Sequence, residues 1–450
     1  MSTAVRTAAR IPGELLDSLA GDRAGESHPT VWSEWLEANG LPDPSAEEWR
    51  YTPLDEMAEA LFASRPAGSP GIDPATFDAV APRHGGVRLV FIDGRFSEEL
   101  SDSPASADLE EPLPPGARVG ELSDLQGPHA ADAAELLGRW ALPQGEDLAP
   151  NDGFRALNAL GGGDTAVVSI SPGVAVGSPI HILHLRSAAA GDDPPTLSQP
   201  RTLIDVGSGA SCRVIETHLS MGAGFTNATT RIRVGVDGHL HHIRVQDEHH
   251  AAHHMGDTVV ETHRGAHLES IAVNLGASRS RCGIDLALCG EHATADLSGL
   301  SLLSADQRCD TVLGVDHRVP NCTSSQDFRS IVDDRARSSF CGHVLVDHGA
   351  AGTDSSQSNR NLLLSRRAQA DTRPWLEILA DDVKCTHGAT VGRIDEDARF
   401  YMLSRGIPAE KAESMLIGAF AAEVIDDVEP PALRDTLYAR IDELDQGAHS

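Results

Sequence analysis

Short apolar runs separated by Gly, Ser, Asn or Asp fill the chain from about residue 164 onward, and they restrict the fold more than any other feature. The runs lie at 165–170, 181–185, 202–206, 213–218, 230–236, 239–246, 259–262, 284–288 and 311–315. Strands of this length, repeated about every ten residues, are typical of a β-sandwich, a β-barrel or a β-solenoid. The pattern by itself leaves these three architectures open.

The segments on either side of this region have helical patterns. We predict helices around residues 32–41, 54–62 and 130–142, and a further helix after Pro408, which suits a first helical position because it has no N–H to lose. One apolar face of that last helix is predicted to contain Ala412, Met415, Leu416, Ala419 and Phe420. Residues 187–200 are predicted to form an insertion loop without a helix or strand of its own.

The charge of the chain argues against a role in non-specific nucleic-acid binding. The formal net charge is −31 over 450 residues, whereas such binding needs clustered Lys and Arg. Lys384 and Lys411 are the only lysines. An acidic, lysine-poor chain indicates either a protein that works at high salt, where excess charge keeps it soluble, or the codon bias of a GC-rich genome. Both explanations stay open.

Nothing in the sequence predicts a membrane-bound or secreted protein. No run of about 18 apolar residues occurs, and the first 21 residues lack the apolar stretch of a secretory signal. The seven cysteines are odd in number and scattered, so a disulfide framework is not expected. A cytoplasmic location, in a reducing compartment, fits best.

Motifs for nucleotide or permanent cluster binding are missing. A phosphate-binding loop needs a lysine directly after a glycine, but Lys384 follows Val383 and Lys411 follows Glu410. No Cys-x-x-Cys pair occurs, and the cysteines do not match the compact spacings that hold a permanent iron–sulfur cluster. Any ATP chemistry is therefore expected to come from a partner.

Hydrolase motifs are equally weak. Asp316, His317 and Ser324 are the residue types of a catalytic triad, but closeness in sequence does not establish the required geometry. A free-standing β-solenoid enzyme acting on carbohydrate is kept as the alternative function. It lacks a recognisable pair of carboxylates, because Asp381 and Asp382 are adjacent and would point to opposite faces of a strand.

A histidine-rich segment lies near the middle of the chain. Its members are His241, His242, His249, His250, His253 and His254, with Asp247 and Glu248 between them. On a short helix, histidines four residues apart would lie on one face and could bind a divalent metal. A solvated loop with a purely compositional excess of histidine is the other interpretation.

Residues 376–392 alternate like a strand near the C-terminal end of the β-rich region. Cys385 and His387 would therefore project from the same face, roughly 6.5–7 Å apart along the strand. A thiol and an imidazole so placed could bind a soft metal ion or the edge of a cluster. The plainer interpretation is a buried cysteine and a hydrogen-bonded histidine on an ordinary strand.

Several stretches of the sequence match a known pattern. In the C-terminal third these are Asp316-His317 with Pro320 and Ser324, QSNRNLLLS at 357–365, ADDVKCTHGATVG at 380–392, FYMLSRGI at 400–407 and MLIGAF at 415–420. Weaker matches are WRYTPL at 49–54, FIDGRF at 91–96 and PIHI at 179–182. Together they resemble the SufB/SufD family of SUF iron–sulfur cluster assembly proteins. The CTHG sequence at 385–388, where SufB proteins have a glutamate-bearing sequence, indicates the SufD branch.

The resemblance implies a mainly β protein whose core, residues 156–392, is a right-handed parallel β-helix (solenoid). It places an N-terminal helical and mixed region at 1–155 and a C-terminal helical domain at 393–450. It also implies a non-enzymatic scaffold subunit that forms a heterodimer with a SufB-like protein and recruits a SufC-like ATPase through its C-terminal helices.

The same resemblance places His387 at the contact with SufB, where it would act as a metal ligand of a site shared across the interface. Cys385 would lie nearby as a second cofactor-binding residue, while thiolate ligands would come from SufB. The implied cofactor is a transient iron–sulfur cluster in the complex, and this chain alone is expected to hold none stably.

Overall fold

The β-rich region forms a parallel β-solenoid in the computed structural model, which describes residues 9–21, 29–66, 72–103, 112–125, 133, 153–189, 191 and 193–448. Consecutive strands alternate between two sheets, and each strand pairs in parallel with a strand of the next coil. The predicted mainly β class and the solenoid are confirmed. The right-handed sense of the coil stays an expectation from the resemblance.

Two sheets account for the strands of the described residues. Sheet A contains β1 (Arg65–Pro66), β4 (Ala117–Glu121), β5 (Thr165–Ile170), β7 (Thr196–Ser198), β8 (Arg201–Val206), β10 (Gly224–Val234), β12 (Ala252–Thr262), β14 (Arg279–Leu288), β16 (Arg308–His317), β18 (Arg337–Val346) and β20 (Gln369–Ile378). Sheet B contains β2 (Val87–Ile92), β3 (Arg95–Phe96), β6 (Ile180–Arg186), β9 (Ser211–Ser220), β11 (His239–Asp247), β13 (His267–Asn274), β15 (Thr294–Leu303), β17 (Thr323–Val332), β19 (Asp354–Leu363) and β21 (Lys384–Gly392).

Helices flank the solenoid at both ends of the chain. They are α1 (Gly13–Gly21), α2 (Pro29–Asn39), α3 (Leu54–Ala63), α4 (Pro74–Val80), α5 (Gly153–Gly161), α6 (Glu396–Ser404), α7 (Ala409–Ile425) and α8 (Pro431–Ala448). The helices predicted at 32–41, at 54–62 and after Pro408 are confirmed as α2, α3 and α7. The helix predicted at 130–142 lies outside the described residues except for residue 133. No helix of the described ranges is long and apolar enough to cross a membrane.

Two local predictions are wrong. Residues 187–200 are not free of regular structure, because they contain β7, which pairs with β1 and β10. The buried face of α7 is also displaced from the predicted one. It consists of Ala412, Ile417, Ala421, Val424 and Ile425, and Met415 is exposed. Several faces of α7 carry small or apolar residues, so its packing partners, and not its periodicity, decide which face is buried.

The three-part division of the chain stays a prediction. The sheets extend into the predicted N-terminal region, since β2 pairs with β6 and β4 pairs with β5. In addition, α5 crosses the expected boundary between residues 155 and 156.

The interior of the solenoid is built from stacked rows of side chains. Each row takes equivalent residues from successive coils of one sheet; Leu240, Leu268 and Ala295, for example, are paired in register and buried. Because strand side chains alternate between faces, every second residue of a strand joins the interior. Between strands, Asp237, Asn321 and Asp334 adopt positive φ, which Asn and Asp tolerate better than other non-glycine residues.

The outer faces of both sheets are partly covered by helices. Residues of α1, α2, α3 and α5 form an apolar cluster that reaches Phe225 and Met255 of sheet A. Buried residues of α7 and α8 pack on the outer face of sheet B, against Ile243, Ile271 and Ile331 among others. The C-terminal helices are therefore part of the folded body.

Arg329 of β17 anchors α7 to sheet B. The almost completely buried guanidinium donates from Nη1 to the carbonyl oxygen of Phe420 at 2.8 Å and lies 5.3 Å from the centre of the Phe420 ring. It also pairs with Asp327 and Glu423. A buried arginine with these partners combines ion pairing with a cation–π contact.

Candidate functional site

The predicted site residues lie on β21, the last strand of sheet B. Cys385 is paired in register with Ser355 of β19, and His387 with Gln357. Ser355 and Gln357 are buried inside the solenoid, so Cys385 and His387 occupy the corresponding interior rows. Their predicted placement on one face of a strand is confirmed, but the predicted strand at 376–392 is too long, because residues 376–378 belong to β20 and β21 begins at Lys384. Sheet B ends at β21, which explains why His387 is exposed and Cys385 only half-buried.

A buried polar layer lies beneath these two residues. The Ser324 and Ser355 hydroxyls are 2.9 Å apart, and Gln326 Nε2 donates to Ser324 at 2.8 Å. Gln357 Nε2 donates to Gln326 Oε1 at 3.3 Å. The Gln357 Oε1 atom has no hydrogen-bond partner among the described residues. The rows that end in Cys385 and His387 therefore continue inward as hydrogen-bonded side chains and not as apolar core.

The Cys385 sulfur is a protonated thiol in this environment. Burial raises its pKa, and the neighbouring carboxylate of Asp354 raises it further. The Cys385 side chain packs against the apolar interior cluster. Within the described ranges, no group of three or more His, Cys, Asp or Glu side chains is arranged to hold a metal ion.

The end of the solenoid around β20 and β21 combines an open sheet edge with exposed apolar side chains. Both sheets end there, at β20 and β21, and Ile378, Leu379 and Val391 are exposed. A sheet edge presents N–H and C=O groups that another strand can pair with. This end is therefore suited to contact another protein.

A second exposed apolar surface lies on the C-terminal helices. Phe400 is 71% exposed and Tyr401 is 58% exposed on α6, and Leu403 and Met415 are also exposed. Large exposed apolar residues that cluster on one element are characteristic of interaction sites.

The histidine-rich segment is not a helix, but two strand ends joined by a short turn that contains His249 and the exposed His250. His241 and His242 belong to β11, and His253 and His254 belong to β12. His254 and Glu248 are buried, and His254 Nδ1 lies 2.7 Å from Glu248 Oε2. The predicted helix is therefore wrong, and the loop interpretation holds only for the turn at His249 and His250. The strands on either side of that turn send alternate side chains inward.

Glu216 is the centre of a second buried polar cluster that the sequence patterns did not indicate. His184, His218 and His242 place Nε2 atoms 3.4 to 3.6 Å from its carboxylate oxygens. The Thr202 and Thr230 hydroxyls donate to it at 2.7 and 2.8 Å. Burial tends to raise the pKa of Glu216, but hydrogen bonds from the histidines lower it well below its usual value.

One contact of the dismissed triad does form. His317 Nε2 lies 2.8 Å from the Ser324 hydroxyl inside the solenoid. Asp316 instead accepts from Arg318 at 2.5 Å, while His317 Nδ1 has no partner among the described residues. Burial lowers the pKa of His317 to about 4. The pair therefore lacks the carboxylate that, in a catalytic triad, orients the imidazole and stabilises its protonated form.

Comparison with known proteins agrees with this architecture. Residues 186–420 match the family model described as "SUF system FeS cluster assembly, SufBD core domain". The chain is 34% identical over 404 residues to the iron–sulfur cluster assembly protein SufD of Escherichia coli, covering 89% of each chain. The chain belongs to the SufB/SufD family. This result confirms the predicted membership and its SufD branch.

Other members of the SufB/SufD family are similar over most of their length. An iron–sulfur cluster assembly SufBD family protein of Synechocystis is 32% identical over 408 residues, 88% of this chain and 86% of that protein. The chloroplastic protein ABCI7 of Arabidopsis thaliana is 28% identical over 354 residues, 77% of this chain and 71% of that protein. The likeness therefore includes the flanking regions as well as the solenoid.

Proposed function

We propose that this chain is a non-catalytic scaffold subunit of SUF iron–sulfur cluster assembly. It pairs with a SufB-like protein through the open end of the solenoid, and a nascent cluster forms between the two chains. This chain supplies His387, with Cys385 beside it, and the partner supplies further thiolates. A SufC-like ATPase is recruited by the C-terminal helices, and we expect the complex to work in the cytosol.

The position of Cys385 and His387 carries this proposal. Both lie on the interior face of the last strand of sheet B, at an end where the partner can approach them. The neutral imidazole is a good ligand for iron, whereas the Cys385 thiol would have to lose its proton to bind. His387 is therefore the principal ligand from this chain, and Cys385 would ligate only once the partner or the metal lowers its pKa.

The exposed face of α6 and α7 supports the proposed ATPase contact. Phe400, Tyr401 and Met415 leave apolar area in water on α6 and α7. The buried face of α7 packs on the solenoid, and α6 is linked to α7 by the ion pair of Arg399 and Glu413. Aromatic side chains on a rigid support are frequent anchors of protein interfaces.

Anaerobic reconstitution tests the proposal directly. The chain would be incubated with iron and sulfide alone, then with the SufB-like protein, and then with both partners, followed by desalting and by absorption and Mössbauer spectra. We expect a chelator-resistant cluster only when the SufB-like protein is present. A stoichiometric cluster on the chain alone would contradict the shared site, and a hydrolase activity of the lone chain without partner binding would contradict the scaffold role.

A further inference from the structure

Three successive turns stack along one corner of the solenoid, where the chain passes from sheet B to sheet A. They comprise residues 304–307, 333–336 and 364–368. The strands before and after these turns are paired in register, so the turns lie one above another. The third turn contains one residue more than each of the other two, and this difference changes its hydrogen bonds.

The third turn leaves a backbone donor free. In the second turn, the Arg335 N–H donates to the carbonyl oxygen of Ala305 at 3.0 Å. The equivalent carbonyl one coil later, that of Asp334, instead accepts from the Ser365 hydroxyl at 2.6 Å. The Arg366 N–H therefore has no hydrogen-bond partner among the residues that the structure describes.

Arg366 and Arg367 carry two adjacent positive charges without counterions. Both residues are exposed, and neither guanidinium forms an ion pair or a hydrogen bond within the described part of the chain. Arg335, in the preceding turn, is instead paired with Asp306 through Nε and Nη2, at 2.7 Å each. The chain has 67 Asp and Glu against 36 Lys and Arg, yet no described carboxylate pairs with these two arginines.

A surface cavity of about 400 Å³ lies between the three turns. Small-molecule sites typically have volumes of about 300–1,000 Å³, so the cavity is large enough for a small ligand. Because every turn contributes to it, the cavity lies on the side of the solenoid and not on the end formed by β20 and β21. Its lining residues are Ala305, Asp334, Arg335, Ser365, Arg366 and Arg367.

The lining of this cavity is polar and positively charged. It contains three guanidinium groups and one carboxylate, that of Asp334, whose Oδ2 accepts from the Ala305 N–H at 3.0 Å. Arg335 already has a counterion, so the excess charge comes from Arg366 and Arg367. Ala305 contributes the only apolar side chain among the lining residues. The cavity therefore suits a small, strongly charged anion better than an apolar ligand.

We propose that this cavity binds a phosphate group, either as the free ion or as part of a small phosphate ester. A planar guanidinium can donate to two phosphate oxygens at once, and a phosphate dianion has enough charge and enough oxygen atoms to satisfy both Arg366 and Arg367. The free Arg366 N–H is a further donor. This inference is independent of the cluster site and of the ATPase contact.

Isothermal titration calorimetry tests the proposal on the full chain. The protein is titrated with inorganic phosphate and with AMP at constant ionic strength. We expect saturable binding of at least one of them with a Kd of about 1 mM or tighter. Binding of AMP as tight as that of phosphate, or tighter, would identify a phosphate ester as the ligand, and binding of phosphate alone would identify the free ion. No saturable binding of either would overturn the proposal.

The double variant Arg366→Gln, Arg367→Gln should weaken this binding at least about tenfold, because it removes the charge-assisted hydrogen bonds to the anion. Arg393→Gln is the matched control, since Arg393 is also exposed and has no partner among the described residues, but lies between β21 and α6. It should bind like the wild type. Unchanged binding by the double variant would overturn the proposal, even if that variant bound the SufB-like protein more weakly, because the two arginines would then belong to a protein contact.

Chemical protection locates the bound anion in the wild-type protein and so does not depend on the folding of variants. Phenylglyoxal modifies accessible arginines, and mass spectrometry of chymotryptic peptides measures the rate of modification at each one. Bound phosphate should slow the modification of Arg366 and Arg367 and leave that of Arg393 unchanged. Equal slowing at all three arginines would show a general effect of the anion and no site, and would overturn the proposal.

Discussion

Gln357 and His387 are paired neighbours in one interior row of the solenoid, yet Gln357 is buried and His387 is exposed. The difference arises because β21 has no following strand in sheet B. A partner strand added at this edge would bury His387 just as β21 buries Gln357. The polar row Gln326–Gln357–His387 would then continue into the partner, which is the geometry a ligand shared between two chains requires.

Replacing His387 with Ala tests this geometry. We expect the cluster content of the reconstituted complex to fall to a small fraction of the wild-type value, because the principal ligand from this chain is lost. The melting temperature should stay unchanged, since an exposed substitution of this kind usually alters stability by less than about 0.5 kcal/mol. Iron and sulfide analysis after desalting, with a thermal melt, provides both readouts.

The matched control for His387→Ala is His348→Ala. His348 is exposed in the turn after β18, so it has the same chemistry at a position that lies outside the proposed site. Its replacement should leave the cluster content at the wild-type level. Normal cluster content in the His387→Ala complex would contradict the assignment of His387 as a ligand.

The proposed ATPase contact is tested by the double variant Phe400→Asp, Tyr401→Asp. Deleting the C-terminal helices would be a poor test, because α7 and α8 bury apolar residues of sheet B. The double variant changes only exposed side chains. Loss of an aromatic anchor typically costs 2 kcal/mol or more, so we expect affinity for the SufC-like ATPase to fall by roughly thirtyfold or more.

Surface plasmon resonance would measure this affinity, with circular dichroism to check the fold. Val80→Asp is the control, because Val80 is an exposed apolar residue on α4 at the other end of the chain. It should bind the ATPase like the wild type. Unchanged affinity of the Phe400→Asp, Tyr401→Asp variant would place the contact elsewhere.

Sequence patterns predicted β5 completely but found only part of β12. The run at 165–170 coincides with β5, whereas the run at 259–262 covers only the last part of β12. The first half of β12 carries His254 and Gly256 on its interior face, and apolar alternation cannot reveal a strand whose inward residues are polar or absent.

The candidate site could be predicted only in part, because the sequence does not show which strands pair. Alternation is enough to place Cys385 and His387 on one face, but that this face continues the solenoid interior depends on pairing with residues about thirty positions earlier in the chain. Glu248 and His254 are close in sequence, but their side chains meet inside the solenoid only because the chain turns between β11 and β12.

The ion pair of His254 and Glu248 should make stability depend on pH in a defined window. The folded-state pKa of His254 is raised to about 9 from 6.5, so its contribution is complete below pH 6.5 and is lost as the pH rises through about 9. Burial raises the pKa of Glu248, but His254 lowers it to about 2 from 4.5, so its contribution is lost only as the pH falls through about 2. The pair is therefore fully effective between pH 4.5 and pH 6.5.

Urea unfolding of the wild type and Glu248→Gln would measure this window. Between about pH 6 and about pH 9, the wild type should lose roughly 3 kcal/mol more stability than the variant, which corresponds to the pKa shift of His254. The pKa shift of Glu248 reflects the same interaction and is not added to it. Glu291→Gln makes the same chemical change at an exposed turn and should follow the wild type. Parallel losses in the wild type and Glu248→Gln would show that the pair contributes no pH-dependent stability.

The excess of acidic residues should make the melting temperature rise between low and molar salt. The chain has 67 Asp and Glu against 36 Lys and Arg, so like charges repel across the surface. Salt screens this repulsion, because the Debye length falls from about 10 Å at 0.1 M to about 3 Å at 1 M.

The buried pair of Glu248 and His254 is shielded from ions, so the stability lost in Glu248→Gln should be nearly the same at both salt concentrations. Thermal melts in potassium chloride would measure both effects. A flat melting temperature would instead favour codon bias as the origin of the acidic composition, because the surface charge would then have no measurable effect on stability.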